Sequence, residues 1–213
     1  MKGQRGMNHT KQKIIDEALS LFSVHGFSNV SVKEIAQAVG IRDSSIYKHF
    51  ASKREIFDTI IDIASSQTKL IYEQIKMPDI NNFAPEYMSM PMDRLEQLCF
   101  EIFMFYLQND IVSKFRKMLT IEQYGNTHAS HLYHKIFIQE PLAHEADLFQ
   151  KMIDAGVFKE GEPEEMALQF YGPLFLMLSR YDHQLPSEEE VKKLIRSHIR
   201  AFSWQYTKNG EIL

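Results

Sequence analysis

The sequence predicts an all-α protein of about nine helices, and three features of its 213 residues point that way. Apolar residues recur at three- and four-residue spacing almost throughout, as expected of helices with one buried face. No stretch alternates with the two-residue period of a strand. Near the start, Ser31-x-x-Glu34 and Ser52-x-x-Glu55 bracket a glycine at Gly40. Such boxes open helices: the Ser hydroxyl accepts from the Glu amide while the carboxylate returns to the Ser amide.

Taken in order, Thr10 caps a first helix that runs to His25 and stops at Gly26. The second starts at Ser31, where Val30 and Ile35 can form a hydrophobic staple. Its short apolar face is Ile35, Ala36 and Val39, and Gly40 can take the left-handed conformation that ends it. After the turn, Asp43 or Ser44 caps a third helix that places Ile46 and Phe50, four apart, on its inner side. The fourth begins at Lys53 and continues to about Lys76. Met77 to Pro91 carries three prolines and reads as a linker. The fifth covers about Met92 to Gln108, and a sixth starts at Asn109-Asp110 and reaches about Tyr124-Gly125. A long seventh spans about Ser130 to Asp154, with a kink or break expected at Pro141, and closes at Gly156. Glu162-Pro163 opens an eighth to about Asp182, and Pro186-Ser187 opens a ninth to about Tyr206.

The net charge of −4 hides a division. Residues 1–57 hold nine Lys/Arg against five Asp/Glu, a net +4, which leaves −8 for residues 58–213. A basic head on an acidic body suits a protein that presents one end to phosphate. The single cysteine, Cys99, excludes an intramolecular disulfide and fits a reducing cytoplasm. Its neighbours Leu98, Phe100 and Phe103 point to a buried, unreactive thiol. Residues Met1 to His9 are polar, unlike a signal peptide, and no apolar stretch reaches the about 18 residues that would cross a membrane.

Residues Thr10 to Phe57 resemble the DNA-binding domain of tetracycline-repressor-family (TetR-family) transcriptional regulators. The resemblance rests on Ile14, Ala18, Phe22 and Gly26-Phe27, then on Ser31-Val32-x-x-Ile35-Ala36-x-x-Val39-Gly40-Ile41. It continues through Ile46-Tyr47-x-His49-Phe50 and Ser52-Lys53-x-x-Ile56. This chain departs from the family at Arg42, where Ser or Thr is usual, so its cap is expected at Asp43 or Ser44.

In a helix-turn-helix the first residues of the second helix point at base edges, which makes Arg42, Asp43, Ser44 and Ser45 the readout candidates. The planar fork of Arg42 matches guanine O6 and N7, whereas Asp43 is better suited to capping. The resemblance implies backbone contacts from Tyr47, Lys48 and His49, from Lys53, and from Ser31 and Lys33. Such contacts position the domain without specifying sequence.

The body is rich in aromatic and Met residues, which serve both cores and ligand pockets. The resemblance implies a small-molecule effector pocket, for which Phe100, Phe103, Met104, Met118, Tyr124, His131, Phe170 and Tyr171 are the candidates. His128, His131 and His134 repeat at three-residue spacing, but no Cys or paired carboxylate completes a metal site. The segment Tyr171 to Tyr181 is apolar nearly all round, and the ninth helix has a broad apolar face. A homodimer through helices 8 and 9 follows as in the family, with Leu174, Phe175, Leu178, Tyr181, Ile195, Ile199 and Phe202 as its candidate interface. The alternative is that both helices are buried within the monomer.

The resulting expectation is a helix-turn-helix domain over 1–57 and a helical effector-binding and dimerisation domain over 58–213. The chain is read as a cytoplasmic homodimeric regulator, without cofactor or resident metal, that binds double-stranded DNA at a palindromic operator and is released by its ligand. No Gly-rich phosphate loop, Ser nucleophile elbow or metalloprotease helix argues for an enzyme. A DNA-bound scaffold whose body docks a protein partner is the alternative reading.

Overall fold

A computed structural model describes residues 2–74 and 90–208, without the side chains of residues 2–8 and 72. Most of the predicted proline linker, and the far end of the fourth helix, lie outside the described residues. The α-helices are α1 (Lys2–His25), α2 (Val32–Val39), α3 (Asp43–Ile46), α4 (Lys53–Gln74), α5 (Met92–Gln108), α6 (Asp110–Glu122), α7 (Thr127–His134), α8 (Glu140–Asp154), α9 (Pro163–Arg180) and α10 (Glu188–Tyr206). A π-helical turn, Lys135–Gln139, joins α7 to α8. With α7, this turn and α8 counted as one interrupted helix, the described residues hold nine helices and no named strand.

The chain divides into two compact units, 1–70 with 109–134, and 71–108 with 135–213. The first is larger than the 1–57 head expected from sequence, because α6 packs along α1. Both helices commit an apolar stripe to the interior: Ile14, Ala18, Leu19 and Phe22 from α1, and Val112, Phe115, Met118 and Leu119 from α6 are all buried. The charge division survives the redrawn boundary, since the first unit still nets +4 and the second −8.

Helix α1 begins two turns before the expected Thr10 cap. The strong helix formers Lys2, Gln4, Arg5 and Met7 outweigh Gly3 and Gly6 there. The break expected at Pro141 falls just upstream, in the π turn, and Pro141 itself sits in the first turn of α8. Proline has no N–H for the carbonyl four residues back, which is Phe137 O. Tyr171 fills that vacancy, its hydroxyl donating to Phe137 O at 2.8 Å. Pro173, inside α9, likewise has no N–H for the carbonyl four residues back, Gln169 O, and one residue on His198 Nε2 lies 2.7 Å from Phe170 O. A carbonyl only accepts, so Nε2 is the donor in that contact.

The second unit holds two apolar clusters. One gathers Phe103, Met104 and Leu107 of α5 with Leu178, Tyr181, Val191, Ile195 and Ile199. The other gathers Leu148, Phe149 and Met152 of α8 with Phe158, Met166, Ala167 and Phe202. In the second, the Phe149 ring lies 5.7 Å from Phe158 and from Phe170, and 5.1 Å from Phe202. Glu96 of α5, only 8% exposed, accepts from Arg196 Nε at 2.9 Å and from Arg200 Nε at 2.7 Å, which ties α5 to α10.

Candidate nucleic-acid interface

The helix-turn-helix is built from local chemistry. Ser31 Oγ accepts from Glu34 N at 3.2 Å, and Glu34 Oε2 accepts from Ser31 N at 2.7 Å, so the capping box is complete. The Ser31 backbone and hydroxyl donors hold the Glu34 carboxyl below its usual range. At the other end of α2, Gly40 adopts φ +79°. Its N–H reaches Gln37 O at 3.1 Å and the Ile41 N–H reaches Ala36 O at 2.9 Å, a Schellman closure. Lys13 adds a cation to this helix end, its ammonium donating to Val39 O at 2.9 Å.

Helix α3 is one turn long, and its start corrects the expected cap. The N-cap is Arg42, whose side chain makes no capping bond, while Asp43 is already helical and accepts from the Ser44 N–H at 3.0 Å. Tyr47 to His49 form a tighter turn, with His49 N donating to Ile46 O at 2.9 Å, and Phe50 N closes back on Ile46 O at 3.0 Å. Ile46 and Phe50 are 1% exposed. Opposite them, Arg42, Asp43, Ser44, Tyr47 and Lys48 are exposed, with Ser45 and His49 at the margin. Tyr47, at 58%, is an aromatic ring held in solvent.

Two expected phosphate contacts have their donors committed elsewhere. The Ser31 hydroxyl donates to Glu34 Oε2 at 2.7 Å. Lys53 turns inward, its ammonium donating to Phe27 O at 2.7 Å and Val30 O at 2.6 Å and lying 4.3 Å from the Phe27 ring centre. Desolvation lowers its pKa, against the opposing pull of the Glu122 and Glu34 charges. Lys33 is exposed.

The second capping box opens α4 with a shift of one residue. Ser52 Oγ accepts from Glu55 N at 3.1 Å, and the Glu55 carboxylate accepts from Ala51 N rather than from Ser52 N.

The expected effector residues fare differently. Met118 is fully buried in the first unit, Tyr124 is 90% exposed on the turn after α6, and His131 is exposed. In the second unit Phe103 and Met104 belong to a packed cluster, Phe170 packs against both clusters, and the Tyr171 hydroxyl is spent on Phe137. Phe100 borders an open groove of about 420 Å³, lined also by Asp93, Arg94, Glu96, Gln97, Lys192 and Arg196. Cys99 sits beside that helix face, and burial followed by the Glu145 charge pushes its thiol up to about 12.

Five of the seven expected interface residues are interior. Leu178, Tyr181, Ile195, Ile199 and Phe202 are each 7% exposed or less and pack in the protomer's own clusters, while Leu174 and Phe175 are half-buried. The large apolar side chains that α9 and α10 expose include Leu168 at 60%, Leu176 at 70% and Trp204 at 68%. Among the described residues no helix is long and apolar enough to cross a membrane.

A capped helix, a left-handed glycine and a short second helix with a polar outer face define a helix-turn-helix protein. Residues 14–60 match the family described as bacterial regulatory proteins, tetR family. The regulator AcrR of Shigella flexneri is 32% identical over 119 residues, covering 55% of this chain and 49% of AcrR. IcaR of Staphylococcus aureus strain Newman, a negative transcriptional regulator of the biofilm operon icaADBC, is 44% identical over 48 residues, covering 22% of this chain and 26% of IcaR. The chain thus spans about half or less of the length of these curated relatives. By fold it is similar to a TetR-family regulator of Pseudomonas syringae pv. tomato DC3000, at TM-score 0.63 and 15% identity, over 92% of this chain and 96% of that one. Over residues 14–60 the chain is therefore similar to the tetR family of bacterial regulatory proteins, and its fold as a whole is similar to that of a regulator of that family.

Proposed function

We propose that the chain is a transcriptional repressor, not an enzyme, that acts in the cytoplasm as a homodimer on a palindromic operator and is released by a small-molecule effector. One observation carries the DNA-binding part. Ile46 and Phe50 fix the inner side of α3 and its following turn, which leaves Arg42, Ser44, Tyr47 and Lys48 outward together. These are a planar guanidinium for a guanine edge, a hydroxyl, and an aromatic and a cation for the backbone. The +4 charge of the surrounding unit supports the same reading. Repression is supported by the kinship with IcaR, a negative regulator.

A single short helix gives few base contacts, so two-fold symmetry is needed to double them. Leu168, Leu176 and Trp204 on α9 and α10 take the place of the buried residues as the apolar part of the interface. The effector site belongs to the second unit. Helix α4 is continuous from Lys53 to Gln74 and passes from one unit to the other, so a ligand that changes its bearing alters the spacing of the two recognition helices. To empty an operator the ligand needs only a few kcal/mol of preference for the unbound form.

Selection of bound DNA from a random pool tests the reading. Two inverted half-sites about one helical turn apart are expected. A pool that stays unenriched overturns DNA recognition. A thermal-shift screen then separates the effector reading from a protein scaffold: a stabilising compound that also dissociates the selected DNA supports the former, while binding insensitive to every stabilising compound supports the latter.

A further inference from the structure

We propose that Glu122, which lies outside the helix-turn-helix, is a positioning residue for DNA binding; this rests on the DNA-binding reading above. Glu122 is the last residue of α6 and is 4% exposed. Its two carboxylate oxygens accept from the Ser28 N–H at 2.9 Å and the Ser28 hydroxyl at 2.8 Å, across 94 residues of sequence. The turn has been shaped around it. A Cβ on Gly26 would stand 2.5 Å from Glu122 Oε1, and Gly26 also takes φ +81°.

The same turn holds the starts of both helices that flank α3. Phe27 packs its ring 5.3 Å from Phe22 and 4.8 Å from Phe57, and its carbonyl receives the Lys53 ammonium at the first residue of α4. Val30 O receives that ammonium too, one residue before the Ser31 cap of α2. Helix α3 follows the end of α2 at Gly40 and precedes the start of α4 at Lys53 on short connections, so the turn, by holding α2 and α4, sets the frame that presents Arg42, Ser44, Tyr47 and Lys48, and the turn is pinned by Glu122.

Local stability does not account for this residue. A carboxylate in the last turn of a helix opposes the helix dipole, and a buried one is costly unless its oxygens are satisfied. Glu122 is unfavourable for its own helix, and its two oxygens find their hydrogen-bond donors in the Gly26–Ser28 turn. A cost accepted at one level for a contact at another is typical of functional positions.

The test uses the full chain and the DNA that the wild type selects from a random pool, with affinity read by fluorescence anisotropy and folding by circular dichroism. Glu122→Ala is expected to remain folded and lose about tenfold in affinity, the scale of a lost charge-assisted hydrogen-bond pair. Glu122→Gln is expected to stay within about threefold of wild type, because its carbonyl accepts the Ser28 N–H while its amide donates to Ser28 Oγ. A folded Glu122→Ala protein that binds like wild type overturns the proposal, as does a Gln variant as weak as Ala. Should Glu122→Ala fail to fold, Ser28→Ala decides: weaker binding at an unchanged melting temperature supports the role, and wild-type binding overturns it. A wild type that selects no sequence sinks the DNA-binding reading itself, whereas variants that match a binding wild type sink only the role of Glu122.

Discussion

Two glycines offer a matched experiment on the turn that Glu122 pins. Gly26 and Gly40 have nearly the same backbone, φ +81° and +79°. A Cβ on Gly40 meets nothing within 4 Å, whereas one on Gly26 falls 2.5 Å from Glu122 Oε1 and 3.1 Å from Ile121 Cγ2. Gly40→Ala therefore isolates the left-handed strain, about 1–2 kcal/mol, less the few tenths to about 1 kcal/mol regained by restricting the unfolded chain. Its expected net cost is about 1 kcal/mol. Gly26→Ala carries the same strain and also evicts the carboxylate that accepts the Ser28 N–H and hydroxyl. Leaving those groups unpaired adds about 1–3 kcal/mol. Urea unfolding of both variants, with the slope checked for constancy, measures the difference. On a Glu122→Ala background the extra cost of Gly26→Ala should disappear, leaving about 1 kcal/mol at each site. Equal costs in the wild-type background, within about 0.5 kcal/mol, would show that Glu122 does not hold the Gly26 turn.

Oligomeric state should respond to Leu176→Arg, which places a charge on an exposed apolar helix face; sedimentation velocity is expected to show monomers. Ile195→Ala, in the core, should instead cost about 2–5 kcal/mol of stability and leave the assembly unchanged. Desolvation pushes the Glu96 carboxyl up, but hydrogen bonds from Arg200 and Arg196 outweigh it and hold the pKa low. That stabilisation is full above the ordinary Glu value of about 4.3 and is lost as pH falls through the lower folded value. Acid melting curves should therefore flatten in Glu96→Gln; an unchanged profile would contradict the pairing. Cys99, with its thiol near 12, should react with a disulfide reagent at pH 8 on the order of a thousandfold more slowly than free cysteine. Labelling at the free-thiol rate would show that the thiol is not buried.

Capping boxes and a glycine turn are short-range chemistry, and they were legible. Ser31 with Glu34, the stop at Gly40 and the span Met92–Gln108 could each be read from residues close together in the sequence. Contacts that bind distant segments left no local mark. Glu122 on Ser28 spans 94 residues, Lys53 on Phe27 spans 26, and Arg200 on Glu96 spans 104. The inward turn of Lys53 shows the cost, because a lysine at a helix start looks like a phosphate ligand until its carbonyl partners are placed. Helices α9 and α10 pose a different problem. An all-round apolar helix does not declare which face meets its own core, so Ile195 and Ile199 resembled an interface until their burial was known. The Arg42 cap was misplaced for a simpler reason: Asp43 can satisfy an amide from inside the helix as well as from its cap.

In the proposed function the outer face of Arg42 to Lys48 reads DNA. Comparing the sequences selected from a random pool by the wild type and by Arg42→Ala tests it most directly. The Arg42→Ala protein should lose preference at one guanine in each half-site and bind the wild-type operator more weakly by about 1–3 kcal/mol. The same selected sequence, bound by both proteins with equal affinity, would contradict it.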